Sequence, residues 1–273
     1  MDARSRSHPR TLAPFWAVLL ALPLAAAHAW ATPQGPPTAL AARITTPVRI
    51  DGVLDDEAWA AARPIGPLLQ AEPKEGVPAS EETEVRIAYD LDTLYVGILC
   101  RDRTPSAIVS TQLTRDGDLD VDDVVGVIVD PFLDRRNGFF FVVNPAGARA
   151  DGQVANNAEN IGFDWDGIWD AAARITGEGW AVEMAIPFKT LRFKPGQTTW
   201  GLNVQRHIKR FNEVNRWSAP RRDVWFSNLA EAGRLEGLVG IRQGLGLDIR
   251  PFGSVSRVNG SGEADGGFDL FKN

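Results

Sequence analysis

The stretch 116–152, DGDLDVDDVVGVIVDPFLDRRNGFFFVVNPAGARADG, restricts the fold more than any other part of this chain. Its two apolar runs, 124–129 and 139–143, are short, rich in Val, Ile and Phe, and bounded by Asp, Pro, Asn and Gly. Such residues favour strands, and their boundaries break helices. An Asn137-Gly138 pair between the runs predicts a hairpin, and 144–147 predicts a Pro-Gly turn into a third antiparallel strand. Just upstream, Asp116, Asp118, Asp120, Asp122 and Asp123 crowd like charges into one loop. Fixed together, they need a cation; otherwise the loop must be open and solvated.

The same pattern continues elsewhere. Residues 84–89 and 94–100 read as a hairpin, and 48–50 as a short strand before a brief helix over 55–62 whose first-turn acids suit the helix dipole. Trp180, Val182, Met184 and Ile186 share one strand face. From Trp200 onward, Leu202 and Val204 face opposite to Asn203, Gln205 and His207. Many short strands, Gly/Pro turns and little helix predict an all-β protein, an antiparallel β-sandwich or a barrel.

Residues 1–31 are read separately, because Arg4, Arg6 and Arg10 precede an apolar run (12–27) and a small-x-small site at Ala29-Trp30-Ala31. This is the pattern of a secretory signal, and the run is short and proline-broken for a membrane span. Residues 32–43, rich in Pro and Ala, read as a linker, 44–245 as the sandwich, and 246–273 as the start of possible barrel strands. The formal charge of −6 argues against nucleic acid or an anionic lipid surface as partner. With a single cysteine, Cys100, no internal disulfide can form, and its place on an apolar strand predicts a buried, inert thiol.

Several motifs, in order, resemble the family 9 carbohydrate-binding modules: IDGVLDDEAWAAA (50–62), VRIAYDLDTLYVGILCRD (85–102), DDVVGVIVDP (122–131) and GWAVEMAIPFKTLRF (179–193). FFFVVNPAGARADGQ (139–153) and WGLNVQRHIKRFNEVNRWS (200–218) look more like the bacterial proteins in which such a module precedes an outer-membrane β-barrel. The resemblance implies a two-sheet sandwich that binds polysaccharide without catalysis, accessory to enzymes that hydrolyse glycosidic bonds. It also implies an exported protein of a Gram-negative periplasm, outer membrane or surface. The family clamps a terminal sugar between two tryptophans; the loop before Asp122 has Arg115-Asp116-Gly117-Asp118 and no aromatic residue to match the first of them.

A sugar site needs flat apolar faces beside polar groups that reach hydroxyls. Trp165 and Trp169, among Asp164, Asp166 and Asp170, fit this description, with core packing as the alternative role. Asn203, Gln205 and Arg115 are the candidate hydroxyl partners. Asp116, Asp118 and Asp120 alternate as the oxygens of a calcium loop do, although position twelve is Val127; a hydrated acidic turn is the alternative. For catalysis, Glu183 could pair with Asp123 or Asp164, but no spacing singles out an acid and a nucleophile. Met184 and His207 are the available pair of haem ligands, with Met184 on a core face.

Overall fold

The structure, a computed structural model, describes residues 35–244 with their side chains and 247–258 and 261–272 by backbone only. The signal-sequence expectation for 1–31 lies outside the described residues. Two sheets face each other. The larger has nine strands, with β1 (Thr38–Leu40), β14 (Gly233–Glu236), β12 (Thr199–Ile208), β6 (Val124–Asp130), β7 (Gly138–Val143), β8 (Arg149–Ala155) and β9 (Asn160–Gly162) side by side. On β12's other edge, β13 (Glu213–Arg216) pairs in turn with β3 (Leu69–Glu72). The smaller sheet runs β10 (Asp170–Thr176), β11 (Gly179–Pro187), β5 (Thr93–Arg101), β4 (Thr83–Tyr89) and β2 (Ala42–Arg43). This is the expected antiparallel β-sandwich, with β6, β7 and β8 as the predicted consecutive strands.

Alternation decides which side chains meet between the sheets. Val125, Val127 and Val129 on β6, Phe139 and Phe141 on β7, and Trp180, Val182 and Met184 on β11 all enter one core. Cys100 lies in the same core, and burial raises its thiol pKa to about 12, so it is the inert side chain expected.

Local expectations shift in three places. Residues 38–43 are not linker: β1 pairs in parallel with β14 and β2 with β4, carrying the chain from one sheet to the other. Ala39 and Ala41 are buried on the way, because methyl side chains fit where the sheets meet. Residues 48–50 make no ladder, and the helix is a single turn, α1 (Glu57–Ala61). Glu183 on β11 takes over their anchoring, accepting from the backbone N–H of Asp51 and Gly52 (2.9 Å each) and from Trp59 Nε1 (2.8 Å). Finally, β15 (Leu247–Val258) and β16 (Ser261–Lys272) pair only with each other. No barrel closes among the described residues.

One break in the larger sheet matters for the site. Along one edge β12 meets β6 continuously from Gly201 to His207. Its other edge is split between β14 at residues 199–202 and β13 at 205–208. In the gap, Trp217 N–H donates to Val204 O (3.0 Å) and Ser218 N–H to Asn203 Oδ1 (2.9 Å). From there the chain turns across the outer face of the sheet, where Phe226 and Leu229 pack with Ile128, Phe140 and Val142.

Candidate functional site

The tryptophans singled out by sequence belong to the interior. Trp169 is 4% exposed, its Nε1–H donates to Asp151 Oδ1 (2.9 Å), and its ring meets Phe141 edge-on at 5.0 Å. With its ring covered and its one polar atom satisfied, it is a core residue and cannot stack on a sugar. Trp165 is half-buried against Phe139, at 4.9 Å between centroids, and its ring closes over Gly167. Arg115 ties this loop down: it pairs with the enclosed carboxylate of Asp151 (2.8 Å) and with Asp166, and donates to Gly167 O (3.1 Å). Its Nη2 is spent on loop closure rather than left for hydroxyls.

The acidic run is split: Asp116, Asp118 and Asp120 are exposed, whereas Asp122 and Asp123 are buried and met by the protein's own donors. Asp122 is fully buried and accepts from Thr111 N–H (2.7 Å), Thr111 Oγ1–H (2.8 Å), Gln112 N–H (2.8 Å) and Asn144 Nδ2–H (2.7 Å). Burial works to raise its pKa, but these donors together hold it below the usual carboxylate range. Asp123 accepts from Lys209 N–H (2.8 Å); here burial prevails and pushes the pKa up. Asp116 lies beside Arg115 (3.3 Å), and Asp118 caps a single 3-10 turn through Asp120 N–H (3.1 Å). Asp120 instead lines a depression with His207. Asp116, Asp118 and Asp120 thus have separate tasks. Among the described residues no group of three or more His, Cys, Asp or Glu is placed to hold a metal ion. The arrangement does not fit a calcium loop, which needs convergent oxygens.

Asn203 is also structural. Buried on the outer face of β12, it donates through Nδ2 to Ser218 O (3.1 Å) and accepts at Oδ1 from Ser218 and Val204 N–H (2.9 Å each), so no group is left for a ligand. Gln205, two residues on, is also bonded at both ends of its amide, but it is half-buried and still meets solvent. Its Oε1 accepts from Arg216 Nε–H (2.8 Å), which obliges its Nε2–H to donate to His207 Nε2 (2.7 Å). The imidazole must then be neutral with its proton on Nδ1. Consistent with this, burial first, then Lys209 and Arg216, lower the His207 pKa to about 4.

Around this relay the outer face is open. Asp120, His207, Lys209 and Glu72 line a depression of about 290 Å³. The crossing segment carries Trp225, 77% exposed. Its neighbours hold it in place. Arg216 Nη1–H donates to Arg221 O (2.9 Å) and to Val224 O, and the Phe226 ring sits 3.3 Å from where a Cβ on Gly126 would be. Gly126 is opposite Gln205 in the ladder, so the absence of a side chain there lets the aromatic segment come down beside the relay. The result is an exposed indole on a segment whose backbone is tied to Arg216, the residue that also holds Gln205 of the relay. Trp225 and Arg216 escaped the sequence reading. The available signal was Trp225 within 218–228, a stretch with no strand or helix period to bury it.

The catalytic and redox alternatives do not assemble. Glu183 points out of the smaller sheet onto the 51–59 segment, whereas Asp123 lies at the end of the core and Asp164 is exposed. Met184 is sealed in the core, and His207 is on the outer face of the opposite sheet.

No family model matches the chain, and no curated protein matches it. Solved structures do. A protein from Bacteroides uniformis ATCC 8492, named as a candidate carbohydrate-binding protein, aligns over 74% of this chain and 99% of its own, with 16% identity and a TM-score of 0.60. A family 9 carbohydrate-binding module from Caldicellulosiruptor kristjanssonii, in complex with cellotriose, aligns over 73% of this chain and 93% of its own, with 15% identity and a TM-score of 0.53. The glucose complex gives 16% identity, 73% and 95% coverage, and a TM-score of 0.54. The chain therefore has a sandwich fold like that of the family 9 carbohydrate-binding modules.

Proposed function

We propose that the protein binds glycans without catalysis, on the outer face of the larger sheet, with Trp225 as the stacking surface and Gln205, His207 and Asp120 as hydroxyl partners. The observation that carries this is the exposure of Trp225 on a segment whose flanking residues are immobilised. An indole held bare in water has no role in the core, and a pyranose ring offers the flat C–H face that fits it. Sugar complexes of family 9 modules with this fold support the class of ligand. Xylan- or cellulose-like polysaccharides are the ligands we expect, for an exported protein serving carbohydrate breakdown. Calcium at Asp116, Asp118 and Asp120 is not part of this reading, because their carboxylates do not converge.

Affinity electrophoresis of the full chain through gels holding xylan or cellulose derivatives tests it. Retardation that weakens several-fold in Trp225→Ala is the expected result. Unimpeded migration of a demonstrably folded protein in every gel would sink the proposal.

A second reading concerns location. The strands β15 and β16, each of 12 residues, form a sheet of their own. A strand of about 9–11 residues is enough to cross a bilayer. This supports a sandwich displayed by an outer-membrane β-barrel. Recovery of the native protein wholly in the soluble periplasmic fraction would remove that reading while leaving glycan binding untouched.

A further inference from the structure

The sandwich contains several buried or nearly buried arginines, and they are not treated alike. Arg210 pairs with Asp102 (2.6 Å) and Glu81 (3.2 Å), Arg206 lies 4.0 Å from Asp102, and Arg115 pairs with Asp151. Arg216 is only 6% exposed and has no ion pair among the described residues. Three neutral oxygens hold it: Gln205 Oε1, Arg221 O and Val224 O. Its Nη2 makes no hydrogen bond, yet it is not among the enclosed unpartnered atoms, so it reaches solvent.

A desolvated cation without a counter-ion is costly, and burial lowers the Arg216 pKa, with Glu72 acting only as a more distant opposing charge. Proteins usually meet that cost with a carboxylate from the chain, as this one does three times over. At Arg216 the missing charge falls where Trp225 is mounted, one residue after the carbonyl that the guanidinium holds.

We propose that the preferred glycan is acidic, with an anionic substituent (a uronate carboxylate or a sulfate ester) that meets Arg216 Nη2 while a sugar ring lies on Trp225. This rests on the glycan-binding reading above and narrows its ligand. The other charged groups facing the site define where the anion sits. Glu72 and Asp120 flank His207 and repel it there, and Lys209 on that side offsets them only in part. On the Val224 side the exposed Asp223 carboxylate is offset by Arg221 (3.4 Å), so that side of Arg216 is the better seat. Because the chain is negative overall, the preference must arise at short range around Arg216 rather than from long-range attraction.

The test is calorimetric titration of the full chain with xylo-oligosaccharides of one length in three forms: unsubstituted, carrying a glucuronate branch, and sulfated. An acidic form is expected to bind roughly tenfold more tightly than the neutral one, the size of a single charge-assisted hydrogen bond. Whichever acidic form is favoured identifies the substituent. Arg216→Gln should abolish that ratio and Arg216→Lys should retain part of it. Since the ratio is first measured on the unaltered chain, a variant that fails to fold does not spoil the test. Equal affinity for all three forms, still dependent on Trp225, overturns the acidic preference and leaves glycan binding standing. Failure of every form to bind the folded protein overturns both.

Discussion

The loop around Trp165 and Trp169 and the segment around Trp225 present similar residues, an indole among arginines and aspartates, and use them in opposite ways. In the first, the charged groups close inward: Arg115 and Asp151 form an ion pair, and Asp151 also receives the Trp169 indole N–H. In the second, Arg216 grips backbone carbonyls from below, and the indole is pushed into solvent. Aromatic and charged composition therefore does not mark a binding loop. What marks it is whether the ring's edge and faces already have partners.

That contrast can be broken most sharply at Trp169. Trp169→Ala should cost about 3–5 kcal/mol in urea unfolding, the range for emptying a large buried aromatic site. A loss of glycan binding with unchanged stability would return Trp169 to the site. Next comes Asp122, whose removal leaves buried donors from Thr111, Gln112 and Asn144 unmatched. Asp122→Ala should cost about 3 kcal/mol near neutral pH. Its folded pKa is depressed, so this contribution is complete above the pKa of an unfolded aspartate and fades as pH falls toward the folded value. The gap between parent and variant in urea midpoint should therefore narrow in acid; a gap constant with pH would mean the carboxylate charge is not what stabilises the loop.

At the exposed tryptophan the two readouts should separate. Trp225→Ala is expected to weaken glycan binding by about 1 kcal/mol, or roughly fivefold, from lost stacking. Its unfolding free energy should stay within about 0.5 kcal/mol of the parent. A large drop in stability would place this indole with Trp169 instead. The smallest effect belongs to Asp118, which caps one exposed turn: Asp118→Ala should cost about 0.5 kcal/mol. Thermal unfolding in a chelator should match that in added calcium, and a clear upward shift with calcium would restore the metal loop that Asp116, Asp118 and Asp120 suggested.

Much of the architecture was legible because strand geometry is local. Alternation on β11 and β12 identified the inward residues, and the Gly/Pro/Asp boundaries located the turns. The site was less so. Gln205 was visible as a polar residue on an outward face, but Asn203 on the same face looked equivalent until Ser218 occupied it. Nothing in the sequence around Asn203 announces that partner.

By itself, then, the sequence determined a sandwich of alternating strands and the side chains that fill it, because a period of two residues is imposed by the backbone wherever one face is buried. Tertiary structure decided which outward groups remain free. Arg115 meets Asp151, Phe226 comes to rest over Gly126, and Arg216 reaches Val224 with no carboxylate beside it. Those pairings depend on strand register and on where the chain crosses the sheet. No local pattern carries that information, since contacts between distant segments are set only when both elements are packed.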